Sequence, residues 1–235
     1  MSTAIVNTPL IGSQIVGNGY LPDTTQRHAL GTIVEANDPF YGGGEYIYLK
    51  SGQTDILNIS HLLCTWDNDF IATSATVAAN QGRPCAVSNV PNILNGFAWY
   101  QIAGQSPVKA STSFNGTPAF TSAANAGTVT NSGAGREILG MLSVGDSTTT
   151  IVKTANTRSG STVLKVSDTN GWIVGLFLSG TGIPGGTVIS RIDADNNLVV
   201  MNNSATATGD ATVTATFTGY VLIEYDRPYL QGQIT

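Results

Sequence analysis

The chain has 235 residues, of which 41% are hydrophobic and only 11% are charged, and it carries a net charge of −5. A sizeable core can therefore be buried, but there is no basic patch to bind a nucleic acid backbone. No apolar stretch approaches the ~20 residues of a membrane-spanning helix. We therefore expect neither nucleic acid nor membrane as a partner.

Because charge is scarce, Ser, Thr, Asn, Gln and Gly must cover the surface, as suits structural proteins with large subunit contacts. Cys64 and Cys85 have no metal-ligand spacing and form no disulfide framework. Two buried thiols made in a reducing cytoplasm are the favoured interpretation, and a single bridge between them is the alternative. The N-terminus lacks a basic region followed by an apolar run, so we expect no secretory signal.

Residues 1–30 are polar and contain many glycines and prolines. That density of helix breakers predicts an extended N-terminal arm with short strands at most. The arm cannot bury Ile5, Ile11 and Ile15 by itself. We therefore expect these isoleucines to dock on a neighbouring subunit or scaffold, and a frayed terminus is the alternative.

Short segments rich in β-branched and aromatic residues follow, separated by glycine, proline and asparagine turns. The predicted strands are residues 31–36, 45–50, 56–66, 70–77, 82–87, 96–104, 107–110, 118–121, 127–130 and 138–144. At this spacing they predict an all-β fold, a barrel or sandwich. The alanines of residues 72–80 leave one helical turn as an alternative there.

The strongest strand signal is residues 96–104, where aromatic and β-branched residues lie between two glycines. Strand side chains alternate, so Trp99 and Tyr100 should point to opposite faces. One ring can then enter a core while the other faces a partner. Interfaces favour aromatic residues, so we predict Trp99, Tyr100, Tyr225 and Tyr229 as contact residues.

The composition changes at residue 147. Residues 147–216 are rich in Gly, Thr and Asn and contain their own predicted strands, residues 162–166, 176–178, 187–192, 198–201 and 211–217. Aromatic and apolar character returns at residues 219–228. We therefore predict a discontinuous β domain, residues 31–146 and 217–235, interrupted by an inserted small β domain, residues 147–216.

Residues 31–36, 46–50 and 96–104, with the final Asp226-Arg227-Pro228, carry a family resemblance. Over roughly residues 31–145 and 217–235 the chain resembles tailed-bacteriophage capsid decoration (cement) proteins. The inserted stretch 175–187, with residues 179–187 at its centre of resemblance, is similar to a small β module recurring in phage virion proteins.

The resemblance implies a β domain that binds the outside of an icosahedral head and clamps neighbouring capsid subunits. The implied partners are the major capsid protein and further copies of the chain, as a homotrimer. The implied location is the capsid exterior, after assembly in the bacterial cytoplasm. The alternative function is a carbohydrate-binding adhesin or fibre protein of the virion, with the insert as its tip.

Catalytic constellations are weak. His28 lies in the arm, and His61 lies in an apolar segment near Cys64 without an orienting group. A glycosidase pair requires a cleft that brings together two of the carboxylates of Glu137, Glu224 and Asp226. A solvated rim is the alternative. We therefore expect a structural protein, not an enzyme, without a cofactor.

Two further motifs have competing interpretations. The stretch from Asp193 to Asn197 begins like a calcium loop but lacks its central glycine and its later glutamate, which favours a hairpin turn. Trp172 is a candidate for stacking on a sugar, and packing inside the insert is the preferred alternative. We therefore predict no metal site.

Overall fold

The computed structural model describes residues 3–6, 16–17, 22–52, 61–89, 95–146 and 148–232, the first two ranges by their backbone only. These residues form eighteen β-strands and no helix. No described helix could therefore cross a membrane. The predicted all-β class is confirmed.

The strands divide between two sheets. The twelve-stranded sheet contains β1 (Thr3–Val6), β2 (Val16–Gly17), β3 (Ile33–Asp38), β4 (Gly42–Ser51), β5 (Leu62–Trp66), β6 (Ile71–Ser74), β7 (Cys85–Ser88), β8 (Phe97–Lys109), β9 (Pro118–Thr121), β10 (Val129–Thr130), β11 (Glu137–Gly145) and, after the second sheet, β18 (Tyr220–Leu230). The six-stranded sheet contains β12 (Thr150–Thr157), β13 (Val163–Val166), β14 (Phe177–Gly180), β15 (Ile189–Asp193), β16 (Leu198–Met201) and β17 (Gly209–Thr216).

Five strands of the first sheet close into a ring. Strand β8 pairs with β4 on one edge and β7 on the other, and β5 and β6 complete the circuit. Side chains alternate along each strand, so every second residue enters the ring. The cluster inside the ring consists of Ile47, Leu49, Leu62, Cys64, Ala72, Ala86, Ala98, Tyr100 and Ile102.

The second half of β8 belongs to a different layer. It pairs with β18, which is followed by β11, β9 and β10, and these strands enclose a separate apolar core. The prediction of two strands, 96–104 and 107–110, is therefore wrong, because β8 continues through Gly104. A Cβ at Gly104 would lie 2.5 Å from the carbonyl oxygen of Gly43. This glycine allows close approach of the neighbouring strand and does not end β8.

The second sheet is formed by the residues of the predicted insert and encloses its own apolar core. Its order is β14-β17-β12-β13-β16-β15, and a bridge between Phe177 and Val188 joins its two ends. Strand β12 is not among the predicted strands, although five of its eight residues are β-branched. It nevertheless pairs with β17 along its whole length. The burial pattern of β12 shows that small and β-branched residues supply its inner face.

The insert contacts the first sheet through the side chains of Tyr220 and Tyr41. Tyr220, at the start of β18, is buried in the core of the insert, and its hydroxyl lies 3.4 Å from the carbonyl oxygen of Val174. From the tip of the β3–β4 hairpin, the hydroxyl of Tyr41 donates a hydrogen bond of 2.8 Å to the carbonyl oxygen of Gly171. The two units therefore share side chains at their junction.

The predicted arm contributes strands to the first sheet of its own chain. Strand β1 pairs antiparallel with β3, with Ile5 opposite Asn37, and β2 pairs with β1. From Pro22 the chain crosses the outside of the ring as a strap, residues 22–30. Asp23 and Phe97 exchange two main-chain hydrogen bonds, which fix the start of this strap.

Candidate functional site

Two of the predicted contact residues are core residues. Tyr100 lies inside the ring of strands, and Trp99 lies on the opposite face of β8, so the predicted alternation is confirmed. The expectation that one ring faces a partner is wrong, because β3 and the strap cover the outer face. Trp99 is only 6% exposed and packs against Tyr48 and His28, with ring centroids 5.0 and 5.1 Å away.

Tyr225 and Tyr229 lie on the same strand but have opposite environments. Tyr225 is buried in the second core, and its hydroxyl lies 2.8 Å from the hydroxyl of Ser106, so it is not a surface anchor as predicted. Tyr229 is 50% exposed, beside Leu139 on β11. Of the four predicted aromatic anchors, Tyr229 is the one available for contact.

Trp172 is part of the core of the insert. Its ring is fully buried, and its indole N–H donates a hydrogen bond of 3.3 Å to the carbonyl oxygen of Ile151. Stacking on a sugar requires an exposed ring face, so the glycan contact is wrong and the packing alternative is correct.

The arm isoleucines are only partly covered by the structure. The backbone of Ile5 belongs to β1 and lies opposite Asn37. The predictions for Ile11 and Ile15 lie outside the described residues.

Three carboxylates from two distant segments of the chain line one groove. Glu137 on β11 and Glu224 and Asp226 on β18 are among the residues that line an open groove of about 390 Å³. The three described ion pairs involve none of these carboxylates, and the nearby guanidinium of Arg227 bonds Glu45 at 2.9 Å. This groove is therefore a negatively charged concavity.

An interruption in the β9–β11 ladder opens the groove. Glu137 pairs with Phe120 and Leu142 with Pro118, so five steps along β11 correspond to two along β9. Gly140 lies within this bulge at a φ of +81°, and a Cβ there would lie 2.8 Å from the carbonyl oxygen of Asp226. A glycine is therefore required where the two strands approach.

The rim of the groove is apolar. Leu142 is 46% exposed and pairs with Glu224, and the exposed ring of Tyr229 lies farther along the same two strands. Large apolar side chains beside charged ones are typical of surfaces that contact other proteins. We call Leu142, Tyr229, Glu137, Glu224 and Asp226 the outer face. Glu224 and Asp226 are two residues apart on one strand, so alternation puts them on one face, whereas only the pairing of β11 with β18 brings Glu137 to the same groove.

The other candidate motifs have structural roles. Asp193 closes the β15–β16 hairpin, where its carboxylate accepts hydrogen bonds from the main-chain and side-chain N–H groups of Asn196. The hairpin interpretation is therefore confirmed. His61 is buried, and desolvation lowers its pKa to about 3, so its imidazole is neutral near pH 7.

No group of three His, Cys, Asp or Glu side chains within the described ranges is placed to hold a metal ion. Comparisons of the chain with models of known protein families, with curated proteins and with solved structures found no match. The basis for a functional assignment is therefore the resemblance, the fold and the outer face.

Proposed function

We propose that this chain is a structural virion protein that binds the outer surface of a bacteriophage head and stabilises the capsid. The observation that supports the proposal is the outer face, where the exposed Leu142 and Tyr229 lie near a groove lined by three carboxylates. Strand β1 of the arm pairs with β3 of its own chain, so docking of the arm on a capsid subunit requires β1 to leave β3 and add to another sheet edge. The resemblance to decoration proteins supports the same function.

The mechanism is stabilisation by mass action. A protein that binds the assembled shell and not its separated subunits shifts the equilibrium toward the shell. The low charge content reduces the desolvation cost of a large contact. No bond is made or broken, and no cofactor takes part.

The outer face is the proposed attachment surface of the β domain. Leu142 and Tyr229 supply its exposed apolar area, and the three carboxylates of the groove favour lysine or arginine on the partner. The proposed partner is the major capsid protein. The homotrimer is proposed by analogy with decoration proteins, and light scattering on the purified chain tests it.

The test is cosedimentation of the purified protein with expanded heads that lack it. We expect saturable binding that weakens strongly in a Leu142→Ser, Tyr229→Ser double variant. The matched control is Val152→Ser on β12, which removes a similarly exposed apolar side chain from the other sheet. If the double variant and the control bind alike, the outer face is not the attachment surface.

A second experiment tests the arm. Removal of residues 1–20 should sharply reduce head occupancy and change melting little, because β1 makes only a short pairing with β3. If the truncated chain saturates heads at the same concentration as the full chain, the arm has no part in attachment.

Immunogold labelling of virions separates the proposal from the adhesin alternative. Label on the head supports capsid decoration. Label on the tail or its fibres supports the adhesin.

A further inference from the structure

A small polar pocket is enclosed between the β3–β4 hairpin, strand β8 and the residues that flank β5 and β7. Its volume is about 10 Å³, close to the space needed for one water molecule. Asp38, Tyr46, His61, Asn89 and Gln101 are among its lining residues, and all five are buried. A site lined by polar groups holds water, whereas an apolar cavity stays dry.

One side-chain atom of these five residues, Oδ1 of Asn89, lacks a hydrogen bond. Asn89 is only 5% exposed, and its Nδ2 donates to Oε1 of Gln101 at 2.9 Å. Its Oδ1 is buried and accepts a hydrogen bond from none of the described residues. A buried carbonyl oxygen without a donor is costly, so such atoms are nearly always paired with protein or ordered water.

The orientation of the Asn89 amide follows from its neighbour. Nε2 of Gln101 donates to the carbonyl oxygens of Ala103 at 3.1 Å and Gln105 at 3.4 Å. Oε1 of Gln101 must therefore face Asn89, which has to present its own Nδ2 in return. Reversing the Asn89 amide would place two oxygens against each other. Oδ1 is thus the atom left without a donor.

We propose that this pocket binds one buried water molecule, which donates a hydrogen bond to Oδ1 of Asn89. The pocket has room for a single small molecule, and Oδ1 requires a donor. Asp38 and Tyr46 line the same space, and their polar side chains are candidate further partners for the water. Burial lowers the pKa of His61 to about 3 and raises that of Tyr46, so both stay neutral near pH 7.

The water site lies at the base of the junction with the insert. Oδ1 of Asp38 accepts hydrogen bonds from the main-chain N–H groups of Phe40 and Tyr41, at 2.8 and 2.9 Å. Tyr41 in turn bonds Gly171 of the insert. The water thus joins Asn89 to the hairpin that contacts the insert. This inference is independent of the proposed function.

A crystal structure of the full chain that resolves ordered waters tests the proposal. We expect one density peak about 2.5–3.0 Å from Oδ1 of Asn89 and within hydrogen-bond distance of a second lining group. A protein donor on Oδ1, an empty pocket, or a cation held at shorter distances by several oxygens would overturn it.

Magnetic relaxation dispersion of water oxygen counts long-lived waters in solution. We expect one fewer such water in Asn89→Leu than in the wild type. The matched control is Asn131→Leu, an exposed asparagine outside the pocket, which should keep the wild-type count. Equal counts in all three proteins would overturn the proposal, and the wild-type crystal structure decides the question if Asn89→Leu does not fold.

Discussion

The hydroxyl of Tyr48 donates a hydrogen bond of 2.9 Å to Oδ2 of Asp23, whose carboxylate is buried where the strap crosses the ring of strands. The other carboxylate oxygen is 3.0 Å from Nε of Arg27. Asp23 also pairs with Phe97 through its main chain. This one residue therefore anchors the strap that covers the ring and leads back to the N-terminal arm.

Asp23→Ala should lower the free energy of unfolding by about 2–3 kcal/mol, because it leaves the buried Tyr48 hydroxyl without its charged acceptor. Tyr48→Phe should cost about 1–3 kcal/mol, because it removes one hydrogen-bond donor from the buried carboxylate of Asp23. Urea denaturation measures both. Asp69→Ala, at an exposed carboxylate, is the control and should change stability by no more than about 0.5 kcal/mol. An Asp23→Ala value equal to that of the control would show that the strap is not anchored in this way.

His61 should make the protein sensitive to acid. Its pKa is lowered to about 3 by burial, whereas the unfolded chain has the ordinary value near 6.5, so the unfolded state binds more protons between these values. The contribution of the neutral His61 to the free energy of unfolding is complete above pH 6.5. It is lost as the pH falls toward 3, and the free energy of unfolding then decreases by up to about 1.4 kcal/mol per pH unit.

Urea denaturation at pH 7, 5.5 and 4.5 measures this dependence. His61→Asn should have a shallower pH dependence than the wild type, since asparagine tolerates the positive φ of 63° at this position and does not titrate. The difference between the two proteins isolates His61 from the carboxylates. Identical slopes would contradict the prediction.

Cys64 and Cys85 should both be free and unreactive. In the β5–β7 register Thr65 lies opposite Cys85, so Cys85 shares a face with Thr65 and not with its neighbour Cys64. Cys64 therefore faces the interior of the ring, whereas Cys85 faces the second core. Both thiols are buried, and burial raises the pKa of Cys85. Ellman's reagent should modify neither in the native protein and both in denaturant. A single disulfide detected by mass spectrometry under non-reducing conditions would contradict this register.

Gly175→Ala should destabilise the junction with the insert by at least about 1–2 kcal/mol, because Gly175 has a φ of +95°. A Cβ there would also lie 2.4 Å from the hydroxyl of Tyr220. Gly185→Ala is the matched control, since nothing lies within 4 Å of its Cβ position. Calorimetry should show a lower melting temperature for Gly175→Ala alone, and equal melting of the two variants would exclude the close contact.

Replacing residues 147–216 by a short linker should leave a chain that still unfolds cooperatively, because the pairings of the first sheet involve no strand of the insert. Its melting temperature should fall, since Tyr220 and Tyr41 lose the apolar surface on which they pack. Circular dichroism follows both effects. Loss of all cooperative unfolding would show that the two units share one core.

Local sequence patterns predicted the strands well. Residues 118–121 and 198–201 are strands with those same bounds, because β-branched and aromatic runs bounded by turn residues carry the strand signal within a few positions. The opposite orientation of Trp99 and Tyr100 was equally predictable, since side chains alternate along any extended chain. Strand β12 carries β-branched residues too but was not among the predicted strands, and the structure shows it as a strand that β17 pairs with along its whole length.

Burial and proximity were decided by the tertiary structure. Trp99 is covered because β3 and a strap from far back in the sequence lie over that face of β8, and Trp172 because the strands of the insert enclose it. Glu137 and Glu224 line one groove because β11 pairs with a strand that resumes after the whole insert. Alternation along a strand depends on a residue's own backbone. Which face is covered, and by what, depends on contacts between distant segments that no local pattern contains.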